Sequence, residues 1–394
     1  MTGSTTAASP PLLFEGEPSL AWRIEDLHNL LRWAAERKAS DIALTSGILP
    51  RVRIHGRWTV VGRHVVEAQS SLIPLLAETF RSPDAWARLQ GREFLDYAYE
   101  VPTPGQVWLK KRFRVNATAC RDRSSIGLSI VMRTIPDEPP RLSDMDLPQA
   151  LRDVLFPNNG LVLVTGVMGS GKSTLLSAVL REIVEVTDKH IITYEAPTEF
   201  DLMALNDKSQ SGAFVVQSEV GMHIKSFRDA PVNSTRRAAD VVLYGEARDP
   251  ETVGGMIEQA EVGTAVYATA HTPGVSSTPG RVINVFKAED QPSMAAGFLG
   301  AIRLIVQQRL LKTPDGQRVA VREWLSFDDE MRKEMLGLRV ADLYPYLEGK
   351  VHERGMPLLR SAEELYRQGR ISESEIEQIR AEKKVEAAAL EARS

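Results

Sequence analysis

A glycine-rich loop in the middle of the chain has the residue types and spacing of a phosphate-binding site. Residues 166–173 read Gly-Val-Met-Gly-Ser-Gly-Lys-Ser and fit the pattern G-x-x-x-x-G-K-[ST], between an apolar run and a helix-forming run. The glycines let backbone amides face phosphate oxygens, Lys172 would reach the β- and γ-phosphates, and the Ser173 hydroxyl would hold Mg²⁺. The alternative is a glycine-rich strand-to-helix turn. The loop predicts a nucleotide triphosphate site, with these binding residues: Gly166, Gly169, Ser170, Gly171, Lys172, Ser173 and Thr174.

Two acidic residues are candidates to complete this site. Residues 240–246 read as a buried strand that ends in Gly245 and Glu246, where such an NTPase strand often ends in Asp and then Glu. Glu195 follows another short apolar strand. Ligands gather at the strand ends of open α/β sheets. Glu246 and Glu195 are therefore candidates for the sheet edge that carries the phosphate loop.

The elements that must position these residues change in pattern near residue 147. Before it, one helix and several short alternating strands indicate a smaller α+β domain with an antiparallel sheet. After it, strands alternate with helices, which favours an α/β core with a mainly parallel sheet. Among the helices predicted for this part are 173–185, 250–260 and 292–310, and strands are predicted near 161–165, 190–194, 214–217, 240–244, 265–270 and 319–327.

The same patterns set the predicted boundaries. They give a flexible tail over 1–19, an N-terminal domain over 20–135, a linker over 136–147, an α/β domain over 148–327 and a helical C-terminal segment over 328–394. The last helix, near 373–393, is highly charged and rich in alanine. Such a composition predicts a solvated helix or a frayed tail.

Composition excludes several classes of protein. The net charge of −4 and pI of about 6.1 argue against direct nucleic-acid binding. Cys120, the single cysteine, excludes an internal disulfide and suits a reducing compartment and a structural role. His55, His64 and His223 lack metal-ligand spacing and are predicted to be structural. No targeting segment or membrane span is apparent, so a cytoplasmic protein is expected.

The order of motifs resembles that of the secretion and pilus motor ATPases. The phosphate loop is followed by segments similar to that superfamily's Asp box (193–200), Walker B strand (241–252) and His box (264–272), with Gln217–Gly221 between them. Further segments near 38–56, 112–116 and 133–136 resemble the superfamily's PAS-like N-terminal domain. The resemblance covers roughly residues 24–327 and implies a RecA-like ATPase core behind that domain, with ATP and Mg²⁺ as cofactors.

The resemblance also implies roles for individual residues. Glu246 would orient or deprotonate the attacking water and contact the metal, with Glu195 as helper, and His271 would sense the γ-phosphate. Arg114 and Arg133 match N-terminal-domain arginines that act as trans-acting fingers, and Arg112 lies on the same strand face as Arg114 by period-two spacing. Two alternatives stay open. His271 could be a packed or capping residue, and the arginines could form a charged strand edge that prevents aggregation.

Departures from the superfamily pattern point to a subgroup. Ala196 stands where the Asp box usually has Asp, and Pro231 is expected to interrupt a helical region. The Ala-Ile-Arg-Asn-Leu-Ile-like motif of PilT-type retraction motors is not found after Trp324. Residues 321–325 and 365–371 look more like the DotB and plasmid TraJ subgroup, which energises type IVB secretion or conjugation.

The resemblance therefore implies a homo-hexameric ATPase that powers a type IVB secretion or conjugative transfer machine. Its expected partners are inner-membrane channel components and other secretion ATPases, without direct nucleic-acid contact. It would be cytoplasmic and recruited peripherally to the inner membrane. A PilT-like pilus motor is the first alternative. A nucleotide-switched scaffold without useful hydrolysis is the second, and the altered Asp box is its only support.

Overall fold

The chain folds into two units. The computed structural model describes residues 12–54, 56–122, 126–136 and 138–391, so the predicted structural residue His55 lies outside the described residues. The first unit comprises the described chain up to residue 136 together with Pro197–Asp201. The second comprises residues 138–196 and 202–391. The segment just after Glu195 therefore belongs to the first unit, although its neighbours in the sequence belong to the second.

The first unit is an α+β fold around one antiparallel sheet of strand order β3-β2-β1-β6-β5-β4. Leu27, Leu30, Leu31 and Ala34 recur at helical spacing and are all buried, so the first helix packs one apolar face into the core. The elements are α1 (Ile24–Glu36), β1 (Asp41–Thr45), β2 (Arg51–Ile54), β3 (Arg57–Val60), α2 (Ile73–Phe80), α3 (Ala85–Gln90), β4 (Phe94–Thr103), β5 (Gln106–Arg121) and β6 (Ile126–Ile135).

The second unit is an α/β fold around a seven-stranded sheet of order β13-β12-β7-β11-β10-β8-β9. Its strands are parallel except for the last, which pairs antiparallel with β12. The strands are β7 (Gly160–Thr165), β8 (His190–Glu195), β9 (Phe214–Glu219), β10 (Val241–Tyr244), β11 (Ala265–Ala270), β12 (Ile302–Lys312) and β13 (Arg318–Ser326).

Ten helices accompany this sheet in the described residues. They are α4 (Gln149–Arg152), α5 (Lys172–Val186), α6 (Ala230–Arg236), α7 (Pro250–Glu261), α8 (Thr278–Ile283), α9 (Gln291–Ala301), α10 (Asp329–Leu336), α11 (Leu343–Arg354), α12 (Leu358–Arg367) and α13 (Glu373–Glu391). Every residue of β7 and β11 is buried, as expected for central parallel strands that are covered on both faces. Because parallel strands end at the same side, the residues that follow them meet at one sheet edge. In the described part of the chain, no helix combines the length and the apolar character needed to cross a bilayer.

The helix predicted over 292–310 is wrong in its second half. The helix α9 ends at Ala301, and residues 302–312 form a strand between β7 and β13. Residues 302–306 read Ile-Arg-Leu-Ile-Val, an apolar run that fits a buried helix as well as a strand. Pairing on both sides decides in favour of the strand, and a sequence pattern does not contain that information.

Two further expectations for this unit need correction. The C-terminal helix is not solvated on every face, since Ile376 and Ile379 in its first half are buried in a cluster with Val321. The two isoleucines are three residues apart and so share one face of the helix, which its overall charged composition does not indicate. Pro231 does not interrupt a helix, because it lies in the first turn of α6. A missing N–H is harmless there, since first-turn amides have no partner within the helix.

Candidate functional site

The phosphate loop leaves the end of β7 with backbone angles that favour glycine. Gly166, Gly169 and Gly171 have φ values of +137°, +77° and +84°. A Cβ atom on Gly166 would also lie only 2.3 Å from the carbonyl oxygen of Gln308 on the neighbouring strand. The alternative of a plain strand-to-helix turn requires neither this approach nor three left-handed residues, so the loop has the form of an anion cradle.

The groups around this cradle suit an anionic ligand. Lys172 is buried and its Nζ donates to the carbonyl oxygens of Gly166 and Val167 at 3.0 and 3.1 Å. The Ser170 hydroxyl is buried without a hydrogen-bond partner among the described residues. Ser173 and Thr174 follow in the first turn of α5, whose N-cap residue is Gly171 and therefore has no side chain that could cap the helix. The first-turn amides of a helix and the helix dipole both favour a phosphate at this position.

Glu246 and His271 lie together beyond the ends of adjacent strands. Glu246 follows β10, His271 follows β11, and these strands pair in parallel register. The His271 Nε2 is 3.5 Å from Glu246 Oε1, and the two side chains are 42% and 38% exposed. His271 is therefore not packed in the core, and its imidazole contacts the predicted water-activating carboxylate. The pair has the solvent access that a group acting on bound water needs.

The loop that follows His271 is hydrogen-bonded to a buried carboxylate on a strand of the sheet. Glu323 on β13 is 3% exposed and accepts a hydrogen bond from the Val275 amide at 2.7 Å. Burial raises the pKa of Glu323, and the charge of Lys383 partly offsets that rise. The backbone after His271 is thus tied to the sheet.

Glu195 is held in a different way, as a buried carboxylate at the end of β8. It is 7% exposed, and its Oε1 accepts from Thr193 Oγ1 at 2.8 Å and from Gln217 Nε2 at 3.1 Å. A Cβ atom on Gly245 would lie 3.3 Å from the Cα of Glu195. The glycine that replaces the usual aspartate thus leaves room for the glutamate on the next strand.

Putting the aspartate back at position 245 is expected to destabilise the protein without raising its activity. Gly245→Asp adds atoms against Glu195, and such overpacking costs about 1–3 kcal/mol. It also places a second carboxylate beside the first, where like charges disfavour ionisation. Thermal unfolding should show a Tm lower by several degrees, and ATP turnover should not increase.

Gly254→Ala is the matched control for this substitution. Gly254 lies inside α7, and its added Cβ would meet only one atom, of Phe286, at 4.0 Å. Alanine is favoured over glycine in a helix by about 0.5–1 kcal/mol, so the control should be neutral or stabilising. An unchanged Tm together with faster turnover for Gly245→Asp would show that the glycine has no such spatial role.

The three predicted arginines lie in the first unit, on the exposed face of its sheet. Arg112 and Arg114 alternate along β5 with the buried Phe113 and Val115, so they share a face as predicted. Arg133 on β6 lies directly opposite Arg114 in register. Both strands have neighbours on each side, so the alternative of a protective strand edge does not hold for these residues.

Each of these arginines has an acidic neighbour within its own unit. Arg133 Nε donates to Asp41 at 2.9 Å, and Arg114 lies 4.0 Å from Asp96. Arg112 lies 3.3 Å from Glu100 and 3.6 Å from Asp201. The acids keep the guanidinium groups together on one face while Arg114 and Arg133 stay 37% and 64% exposed. The face can therefore still accept an outside anion.

The structure brings most of the predicted site to one sheet edge. The phosphate loop, His271 and Glu246 follow β7, β11 and β10, and Glu195 is the last residue of β8; these four strands are consecutive in the sheet. The three arginines lie in the other unit. Sequence reasoning did not identify Thr193 and Gln217, which orient Glu195 and face each other in register. Their signal was a polar residue near the end of each of two apolar strands.

A cavity of about 300 Å³ borders the phosphate loop. It lies between residues 167–170, the end of β12 and the first half of α13. Arg309 of the strand and Glu382 of the helix form an ion pair at 2.5 Å across these elements. The C-terminal helix thus forms a wall beside the loop.

Comparisons with known proteins find relatives that match most of the chain. The family model described as type II/IV secretion system protein matches residues 101–340. A twitching motility protein of Neisseria gonorrhoeae is 30% identical over 368 residues, covering 90% of this chain and 93% of that protein. The type IV pilus retraction ATPase PilT of Pseudomonas aeruginosa is 30% identical over 319 residues, covering 81% of this chain and 88% of that one.

Solved structures resemble the chain over nearly its whole length. The ATPase DotB of Legionella pneumophila superposes with a TM-score of 0.85 at 33% identity, covering 94% of this chain and 99% of that chain. The pilus retraction motor PilT with bound ADP superposes with a TM-score of 0.73 at 28% identity, covering 89% and 95%. Both likenesses include the N-terminal unit as well as the α/β unit.

Proposed function

The chain belongs to the family of type II/IV secretion system proteins, and on that premise we propose that this P-loop ATPase powers a type IVB secretion or conjugative transfer machine. The observation that carries the proposal is the convergence of the phosphate loop, Glu246, His271 and Glu195 on one sheet edge. The likeness to DotB over both units supports the choice of subgroup. The departures of the sequence from the retraction-motor pattern support it further.

In the proposed site each residue has a separate role in binding phosphate, binding the metal or activating water. The loop amides and Lys172 bind the β- and γ-phosphates, which fixes the ATP for in-line attack. The Ser173 hydroxyl and carboxylate oxygens from Glu246 are hard ligands of the kind Mg²⁺ takes, and the metal when bound neutralises phosphate charge. Glu246 orients and deprotonates the attacking water. Glu195, already fixed by Thr193 and Gln217, would hold water on the metal side of the site.

Arginines from a neighbouring subunit complete the proposed site. Arg112, Arg114 and Arg133 form one basic face in the N-terminal unit. We propose a ring of six subunits in which this face covers the γ-phosphate of the next subunit. Arginine fingers of this kind contribute about 10³–10⁵ in rate. Hydrolysis would then change the contact between subunits, and that motion would act on inner-membrane channel components from the cytoplasmic side.

Mixing two inactive variants tests the trans-acting arginine. Arg114→Ala keeps the phosphate loop, and Lys172→Ala keeps the arginine, so each alone should hydrolyse ATP poorly. In head-to-tail rings an equal mixture should recover about a quarter of the wild-type rate, because a random interface pairs an intact loop with an intact arginine that often. Steady-state phosphate release measures this.

The control for this experiment is a substitution elsewhere on β5, measured in the same assay. Arg121→Ala, at the exposed far end of β5, should behave as the wild type. No recovery on mixing, in rings shown by native mass measurement to contain both variants, would place the arginine in the site of its own subunit.

A pilus motor is the second candidate, because two of the relatives named above carry motility or pilus retraction names. The two candidates share their chemistry and differ in partner. A strain that lacks the gene and is complemented with either the wild type or the Lys172→Ala variant distinguishes them. Loss of conjugation or protein secretion with normal twitching supports our proposal, and the reverse pattern supports a pilus motor.

A further inference from the structure

One buried glutamine of β12 contacts the phosphate loop at three points. The side-chain Nε2 of Gln308 donates to the carbonyl oxygen of Ser170 at 2.7 Å. The same Nε2 lies 2.8 Å from the position that a Cβ atom on Gly171 would take. The backbone oxygen of Gln308 lies 2.3 Å from the position that a Cβ atom on Gly166 would take. Gln308 is 1% exposed. Gln308 therefore lies against the first residue of the loop, Gly166, and against the Ser170–Gly171 peptide near its end.

The hydrogen bond to Ser170 fixes the direction of the next amide. A trans peptide is planar, and its C=O and N–H point in opposite directions. With the Ser170 carbonyl drawn toward β12, the Gly171 amide points away from the strand and into the loop. If this peptide turned over, it would present a carbonyl oxygen to the phosphate instead of an amide. The contact thus acts on the polarity of the cradle.

Arg322 determines which end of the glutamine amide faces the loop. It lies opposite Gln308 in the β12–β13 register, and its Nε donates to Gln308 Oε1 at 2.7 Å. A guanidinium can only donate, so the amide oxygen must face Arg322. The amide nitrogen must then face the Ser170 carbonyl, which can only accept. The orientation of this side chain follows from its partners.

Arg322 itself is held by the chain segment that enters the second unit. It is 5% exposed, and its terminal nitrogens donate to the carbonyl oxygens of Met145 and Asp146 at 3.3 and 3.4 Å. Asp146 has a φ of +48°, and its carboxylate is ion-paired with Arg370. Burial lowers the pKa of Arg322 to about 10, with the charge of Asp146 opposing that shift. A buried charge satisfied mainly by carbonyls stays in one place, because moving it would leave them unpaired.

We propose that Gln308 is a positioning residue for nucleotide binding, which orients the Ser170–Gly171 peptide of the phosphate loop, and that Arg322 holds Gln308 in its donating orientation. The inference rests on the proposed function, since it concerns the site that binds ATP. It adds two buried residues that lie outside the phosphate loop in the sequence. Their effect reaches the phosphates only through the backbone of the loop.

Two substitutions at position 308 separate positioning from folding. Gln308→Glu has the same shape and can form an ion pair with Arg322, so its Tm should not fall, yet it turns an acceptor toward the Ser170 carbonyl. Gln308→Met removes the donor without adding charge. Both should bind magnesium ADP at least about tenfold more weakly, because the Gly171 amide is no longer held toward the phosphate and one hydrogen bond to a charged group is lost. Isothermal titration calorimetry measures the affinity, and thermal unfolding measures the Tm.

Arg322→Met and the double variant test the link between the two residues. Because Arg322 acts through Gln308, Arg322→Met should weaken binding on its own but add little to Gln308→Met. The control is Arg303→Met, at the opposite end of β12, where the guanidinium donates to the carbonyls of Gly300 and Ala301. It should lower the Tm and leave the ADP affinity unchanged.

The outcomes are distinguishable from a failure of the proposed function. If wild-type protein binds no magnesium nucleotide, the proposed function is wrong. If the wild type binds and Gln308→Met keeps its affinity, the positioning role is wrong, even when Gln308→Glu binds weakly through its charge. If the losses of ADP affinity in Gln308→Met and Arg322→Met simply add in the double variant, Arg322 does not act through Gln308.

Discussion

Lys172→Ala is expected to reduce ATP hydrolysis by about 10²–10³-fold, because it removes a preorganised positive charge from the site where phosphate charge develops. Lys172 begins α5 and is 7% exposed, with its ammonium held over the loop by the carbonyl oxygens of Gly166 and Val167. A ligand phosphate would compete with those carbonyls as a stronger, charged acceptor. The ammonium is thus placed in advance and needs little rearrangement to reach the phosphate.

The measurement is steady-state phosphate release at saturating magnesium ATP, with ADP binding measured in parallel. The variant should remain folded, since the fold around the loop depends on buried apolar strands rather than on this lysine. Lys287→Ala, an exposed lysine between α8 and α9, is the control and should keep full activity. Turnover close to the wild-type rate in Lys172→Ala would show that the loop is not the hydrolytic site.

Glu246→Gln is expected to bind ATP normally and to turn it over about 10²–10⁴-fold more slowly. The amide keeps the shape of the carboxylate and its distance to His271, but it cannot take a proton from water. Because the phosphate loop is unchanged, the substitution should lower kcat and leave the KM for ATP nearly unaffected. Rings of this variant should therefore accumulate with ATP bound, which single-turnover experiments and native mass measurement detect.

Glu195→Gln is the comparison that separates the two carboxylates. Glu195 is buried and tied to Thr193 and Gln217, whereas Glu246 is 38% exposed beside His271. A base must reach the water, so the loss of kcat should be smaller for Glu195→Gln than for Glu246→Gln. An unchanged kcat in Glu246→Gln together with a collapse in Glu195→Gln would transfer the role of base to Glu195.

The central motifs could be predicted because their chemistry depends on short spacing. A glycine-rich turn between a strand and a helix makes an anion site from eight consecutive residues, and parallel strands bring their ends to one edge in any α/β sheet. Period-two spacing likewise placed Arg112 and Arg114 on one face of β5. These conclusions needed no knowledge of which strands are neighbours.

The errors came from segments whose local pattern fits two structures. Residues 302–310 satisfy both a buried helix and a buried strand, and pairing with β7 and β13 selects the strand. The C-terminal helix looks highly charged and alanine-rich by composition, yet Ile376 and Ile379 are buried in a cluster with residues of β13 and of the neighbouring helix α12. Pro231 is expected from the sequence to break a helix, but α6 begins at Ala230, so Pro231 lies in its first turn, where a proline is tolerated.

By itself, the sequence determined that this chain carries a phosphate loop, two candidate carboxylates and a histidine at the ends of sheet strands, behind an N-terminal domain with a basic strand face. Only the tertiary structure shows that Gly245 lies against Glu195, and that Arg322 donates to Gln308 while Gln308 donates to the Ser170 carbonyl of the loop. Arg322 and the Asp146 carbonyl that it contacts are 176 residues apart in the chain. The physical reason is that spacing along a strand or helix is fixed by backbone geometry, whereas the partner across a sheet is fixed only when the whole core packs.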